Sequence, residues 1–166
     1  MVEEINITVG RVKYAGLFSF DDYYKLLYDL LRSLGYDIEE VKYSHKTTPT
    51  GDSATIEWNC YKKVDDYSQF KIWAKTEVTE LEKVQVQTKD QTMSKNKGAC
   101  YLEMKGNIMT DYENRWEINP IMKFLKGFYD IYFYKSTFDT WKAKVALDLH
   151  TVENEIKAFF NMQRFM

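Results

Sequence analysis

Breakers are scarce in this sequence: seven glycines and two prolines in 166 residues, about 5% against the ~12% of an average protein. That excludes collagen-like and Gly/Pro-rich disordered sequence, and it implies long elements joined by few turns. Cysteine is nearly absent too. Cys60 and Cys100 stand alone, outside any CxxC spacing, so neither a disulfide scaffold nor a thiol redox motif is present. Histidine is limited to His45 and His150, without HExxH spacing, which leaves a standard zinc site without its ligands. No window reaches the ~18 uncharged apolar residues of a transmembrane helix; residues 129–134 come closest, and Asp130 and Lys135 interrupt them. Charge of one sign is missing as well. Lys plus Arg is 23 and Asp plus Glu is 25, a formal charge of −2, which argues against a dedicated duplex-DNA binder.

What is present is a strong globular signal. The chain is 45% hydrophobic and 16% aromatic, a composition that excludes disorder. Its length favours one domain over residues 1–166, large enough to bury roughly 68–70% of its extended surface. The start, Met1-Val2-Glu3-Glu4-Ile5, is acidic and lacks the basic and apolar segments of a signal peptide. A cytoplasmic location is the expectation. Both cysteines fall on apolar phases, where free thiols act as small hydrophobes; buried reduced thiols are favoured over a disulfide or a reactive group.

Periodicity divides the chain into elements. Ile5, Ile7 and Val9 alternate with polar residues and predict a first strand over Glu4 to Tyr14. Ser19-Phe20-Asp21-Asp22 opens a helix with a cap and first-turn carboxylates. Phe20, Tyr23, Tyr24, Leu27, Leu30, Leu31 and Leu34 follow at helical spacing and Gly35 stops it. A weaker strand over Ile38 to Lys46 precedes the turn Thr48-Pro49-Thr50-Gly51-Asp52. Three alternating strands come next, with Ala54, Ile56, Trp58 and Cys60, then Phe70, Ile72, Ala74 and Val78, then Cys100, Leu102, Met104 and Ile108 on their apolar phases. Such alternation implies an antiparallel sheet with one buried face. Asn119-Pro120 starts a helix bearing Ile121, Phe124, Leu125, Phe128 and Tyr132. Ser136-Thr137-Phe138-Asp139 reads as a second capping box or as a point the helix runs through. Phe138, Trp141, Val145, Leu149, Val152, Ile156 and Phe159 carry the last helix.

Two geometric constraints sharpen this. An unbroken strand from Tyr67 to Thr88 would span about 70 Å, against a radius of gyration of about 15 Å for a compact domain. Glu80 and Glu82 land on its inward phase, so a bulge or bend is expected there, with Gly106 roughly across from it. Register is the second constraint. Keeping Ile56, Trp58 and Cys60 on the face of Ile72 and Ala74 requires an odd-length loop around residues 64–68, which sets Glu57 opposite Lys75 and Asn59 beside Trp73.

Several constellations could carry chemistry. Asp65, Asp66, Asp111 and Glu113 are expected at one sheet edge, with Arg115 and Trp116. As hard oxygen ligands they could hold Mg²⁺ or Ca²⁺ or supply an acid/base pair; as turn residues they need no ligand, and the absence of a metal-binding signature favours that plainer reading. The open face interleaves Tyr61, Trp73 and Tyr101 with Lys71, Lys75 and Lys105, a pattern able to stack single-stranded bases. Glu57, Glu77 and Glu103 share that face and oppose phosphate, so a cross-paired face or one covered by a helix is the stronger reading. No GxSxG, Walker or GxGxxG sequence occurs, and no catalytic residue or cofactor is assigned. The aromatic C-terminal helices suggest core packing first and a homo-oligomer or protein contact second. Lys123 and Lys126 beside Phe124 and Phe128 leave a membrane-surface contact third.

Asp65-Asp66-Tyr67, Asp111-Tyr112-Glu113-Asn114-Arg115-Trp116, the run from Pro120 to Tyr129 (PIMKFLKGFY) and the helix start Phe20 to Tyr28 resemble a family of small uncharacterised archaeal proteins over most of the chain. The resemblance implies an intracellular archaeal protein whose most distinctive part is the acidic edge with Arg115-Trp116. It carries no activity.

The expected architecture is α+β, β-α-β-β-β-β-α-α, a long curved antiparallel sheet of about five strands with helices on one face. The expected function is a non-enzymatic binding or assembly module, using an apolar pocket or a homomeric helical surface. Single-stranded nucleic-acid binding is the alternative, and a carboxylate-metal hydrolase the third.

Overall fold

The computed structural model describes residues 3–49, 51–88, 91–110, 124 and 134–164. In chain order the elements are β1 (Glu3–Phe18), α1 (Phe20–Ser33), β2 (Asp37–Thr48), β3 (Gly51–Lys63), β4 (Ser68–Thr88), β5 (Gln91–Thr110) and α2 (Tyr134–Gln163). The five strands form one open antiparallel sheet in the order β1-β5-β4-β3-β2, so this is an α+β fold. Both helices lie on one face. The expected helix start at Asn119-Pro120, and Asp111, Glu113, Arg115 and Trp116 of the acidic edge, lie outside the described residues.

Local chemistry accounts for α1. Ser19 Oγ accepts from the Asp22 amide at 3.3 Å, Asp21 and Asp22 occupy the first turn and Arg32 the last, each charge complementing the helix dipole. At the other end Gly35 takes a left-handed φ of 86°. That turn lets the Tyr36 amide reach the Leu31 carbonyl at 3.1 Å and closes the helix.

The register between β3 and β4 follows from their loop. Lys63 pairs with Gln69, leaving five residues between them, and Trp58 faces Ala74, Glu57 faces Lys75 and Asn59 faces Trp73. Asp65 Oδ1 holds the loop by accepting from the amides of Tyr67 (2.9 Å) and Ser68 (2.5 Å). Ile56, Trp58, Cys60, Phe70, Ile72, Ala74, Cys100, Leu102, Met104 and Ile108 are all buried, on the face the helices cover.

β4 does break where its carboxylates demanded it. Its register with β5 slips between Thr79 and Glu82, and Glu80 takes a φ of 57°. The extra residue flips the phase, so Leu81 turns inward and Glu80 and Glu82 stay exposed. The glycine across from this bulge is Gly98, not Gly106. A Cβ at Gly98 would lie 2.8 Å from the Thr79 carbonyl oxygen. Gly106 pairs with Ile72 and Thr8 instead.

β1 departs from its sequence pattern for the same reason. Its register slips between Asn6 and Thr8, so Ile5 and Val9 sit on opposite faces and are exposed (37% and 39%), while Val12, Tyr14 and Phe18 enter the core. An alternation read through a bulge assigns the wrong half of the strand to the core.

α2 (Tyr134–Gln163) runs through Ser136–Asp139. Val145, Leu149, Val152, Ile156, Phe159 and Phe160 form its buried face. The helix rests directly on the sheet: a Cβ at Gly106 would lie 2.8 Å from Val145 Cγ1, and one at Gly10 would lie 2.5 Å from Leu149 Cδ2. Near its end Phe160 stacks on Tyr14 (4.4 Å, 11°) and on Tyr23 of α1 (5.5 Å, 21°). These rings join both helices to β1.

Candidate functional site

The buried reactive groups are occupied with one another. Cys60 and Cys100 are free and buried, and burial pushes both thiols up to about 12. Tyr23 and Thr76 share a hydroxyl hydrogen bond of 2.9 Å, and burial, with Cys100 adjacent, raises the Tyr23 phenol well above its ordinary range. A second network lies between the helices. Asp148 Oδ2 accepts from Tyr36 OH at 3.0 Å and from Lys62 Nζ at 3.4 Å, and Lys62 also donates to the Leu34 carbonyl at 2.6 Å. It joins α2 to β3 and to the end of α1. Burial and then Asp148 raise the Tyr36 phenol. Sequence reading missed Asp148, although its place among Val145, Leu149 and Val152 on the apolar stripe was a usable signal. Each histidine faces one carboxylate at the surface, His45 with Asp52 at 3.6 Å and His150 with Glu153 at 3.5 Å.

At the acidic edge, Asp65 spends its Oδ1 on the loop amides, and Asp66 is exposed beside it. Thr110, the last residue of β5, pairs with Ser68 beside that loop. Among the described residues no group of three or more His, Cys, Asp or Glu side chains is arranged to hold a metal ion.

The open face brings together the aromatic and basic residues expected there, and cross-pairs them. Lys105 Nζ lies over the Trp73 ring at 4.7 Å, and Lys13 over Tyr101 at 5.3 Å. Trp73 Nε1 donates to Glu57 at 2.8 Å, Lys75 pairs with Glu77 at 2.6 Å, Lys71 with Glu4 at 3.2 Å and Lys105 with Glu103 at 3.8 Å. The Glu77 contact, then the charge on Glu77 itself, raises the Lys75 ammonium. Tyr61 stands across from Lys71. A base stacking on Trp73 or Tyr101 would have to displace a lysine already there. A groove of about 600 Å³ at β1, β4 and β5 is lined by Lys13, Glu77 and Tyr101 of this face and by Arg164 at the end of the last helix.

A different surface stands out at β2, the last strand in the sheet order. A groove of about 440 Å³ between α1 and β2 is lined by Phe20, Asp21, Tyr24, Glu40 and Tyr43. Helical spacing sets Phe20, Tyr24 and Tyr28 in one row, and Tyr24 and Tyr28 both meet the Trp58 ring edge-on, at 5.1 and 6.0 Å. Trp58 Nε1 donates to Glu40 Oε2 at 3.1 Å and Tyr24 OH to the same oxygen at 3.3 Å. The carboxylate is thereby held at the floor of the groove. Burial and then Glu40 raise the Tyr24 phenol, so it remains a donor. A register slip between Glu40 and Lys42 makes Val41 the extra residue, and Val41 and Tyr43 are each 54% exposed. Sequence reading placed Phe20 and Tyr24 on a core stripe and passed over Glu40 and Tyr43, because β2 shows no clean alternation.

Comparison with protein-family models, curated proteins and solved structures found no match to this chain.

Proposed function

We propose that this chain is a non-enzymatic binding module whose recognition surface is the groove between α1 and the β2 edge. The observation that carries this reading is the aromatic lining there: Tyr43, 54% exposed, lines the groove with half-buried Phe20 and Tyr24, and exposed Tyr28 shares the Trp58 ring with Tyr24. Exposed aromatic groups clustered beside fixed polar ones are the usual composition of a binding surface. The β2 edge itself is guarded against simple strand addition by its bulge and by Glu39, Lys42, His45 and Lys46, so side chains rather than backbone do the recognising. An internal apolar pocket has less support, since α2 sits directly on the sheet at Gly10 and Gly106. Binding of single-stranded nucleic acid to the open face also has less support, because lysines already cover the rings of Trp73 and Tyr101.

The test is a two-dimensional NMR screen of the purified chain against a library of small neutral and charged fragments. Shift changes should gather on Phe20, Asp21, Tyr24, Glu40 and Tyr43. Hits gathering on Trp73 and Lys105, or around Asp65, would overturn the assignment.

A further inference from the structure

We infer that the α1–β2 groove selects an organic cation, an alkylammonium group of about the size of tetramethylammonium; this rests on reading the groove as the recognition surface. Three aromatic side chains, Phe20, Tyr24 and Tyr43, line it together with two carboxylates, Asp21 and Glu40. Ring faces carry negative potential and attract a weakly hydrated cation, and carboxylates beside them add a direct charge. A quaternary ammonium group loses little hydration on entering such a site, whereas an anion would face both carboxylates.

Two further observations point the same way. First, among the described residues neither Asp21 nor Glu40 has a cationic partner. Elsewhere on the same sheet Glu4, Glu77 and Glu103 each face a lysine. Second, Glu40 is positioned by neutral donors. The Trp58 indole N–H and the Tyr24 hydroxyl both bond Oε2, which fixes the carboxylate without cancelling its charge. Here the charge is oriented and left without a cationic partner beside aromatic side chains.

Choline and its uncharged isostere, in which a quaternary carbon replaces the nitrogen, test this directly in NMR titrations of the full chain. Choline should shift Phe20, Tyr24 and Tyr43 saturably and bind about tenfold more tightly than the isostere. Glu40→Gln keeps an oxygen for the Trp58 and Tyr24 donors, so it should fold unchanged while losing about tenfold in choline affinity; Tyr43→Leu, at an exposed position, should lose a similar factor. A short peptide carrying one trimethyllysine separates the two sources of such a group. Tighter binding of the peptide than of choline assigns a lysine on a partner chain, equal binding a free small molecule, and both uphold the cation. Equal affinity for choline and the isostere, or choline binding unaffected by Glu40→Gln, would overturn the inference. The groove would still be the recognition surface in that case if neutral fragments shift the same residues.

Discussion

Replacing Asp148 with alanine is the sharpest test of how the two helices are tied to the sheet. The carboxylate side chain is 10% exposed and Lys62 22%, and Tyr36 is fully buried. In Asp148→Ala the Tyr36 hydroxyl loses its acceptor inside the protein, at a cost of about 1–3 kcal/mol for an unsatisfied buried donor. Lys62 fares better. It keeps the Leu34 carbonyl at 2.6 Å and some water, so the loss stays below the about 3–5 kcal/mol of breaking a fully buried pair. Releasing Asp148 from its own desolvation offsets part of this. The expected net destabilisation is about 2–3 kcal/mol, against about 1 kcal/mol for Tyr36→Phe, which removes one hydrogen bond and leaves nothing unsatisfied. The double variant should be less damaging than the sum by about 1 kcal/mol, because phenylalanine has no hydroxyl to strand. Urea unfolding followed by tryptophan fluorescence reads these differences as midpoint shifts at constant slope. Strict additivity, or an Asp148→Ala cost below about 0.5 kcal/mol, would refute the idea that the network fastens α2 to β3 and α1.

Two other predictions concern the core. Gly106→Ala should cost about 1–3 kcal/mol by overpacking, since its Cβ would meet Val145, branched at Cβ, at 2.8 Å, whereas Gly10→Ala should cost less because it meets the far end of the longer Leu149 side chain; equal effects in urea unfolding would contradict the seating of α2. Stability should also fall at alkaline pH. The folded chain keeps the Cys60 and Cys100 protons up to about 12, while the unfolded chain releases them near about 8.5. Between these values the unfolded state binds fewer protons, so each thiol subtracts up to about 1.4 kcal/mol per pH unit, with its contribution intact below that window. The raised phenols of Tyr23 and Tyr36 add to the loss at higher pH. Unfolding midpoints that stay level from neutral pH to about 11 would show that the thiols are not buried.

Much of the fold was legible from side-chain chemistry alone. Strict alternation in β3, β4 and β5 named the buried face, because only one parity of each strand is apolar. The odd loop at residues 64–68 followed from keeping Trp58 and Ile72 on one side, and the pairing of Glu57 with Lys75 followed from the loop. The two glutamates at 80 and 82 marked the β4 bulge because neither belongs in a core. β1 was harder. Ile5, Ile7 and Val9 alternate as well as any strand, and nothing local shows that Ile7 is an inserted residue. The glycine opposite the β4 bulge was misassigned for a related reason: cross-strand partners depend on the accumulated register of β5, which local pattern does not contain.

The candidate site shows the same division. Its residues come from the first turns of α1 and from within β2, and each has an ordinary role in its own segment: Phe20 and Tyr24 as helix apolar residues, Glu40 and Tyr43 as parts of a weak strand. Folding of β2 onto β3 puts Glu40 across from Trp58, and packing of α1 brings Tyr24 to the same indole. Sequence alone determined the class of fold, the buried face, the helix caps and the place where β4 bends, because each depends on residues a few positions apart. Tertiary structure decided where β1 slips, which carboxylates are neutralised and which aromatic residues meet Glu40, because charge pairing and ring contacts depend on distances between segments far apart in the chain.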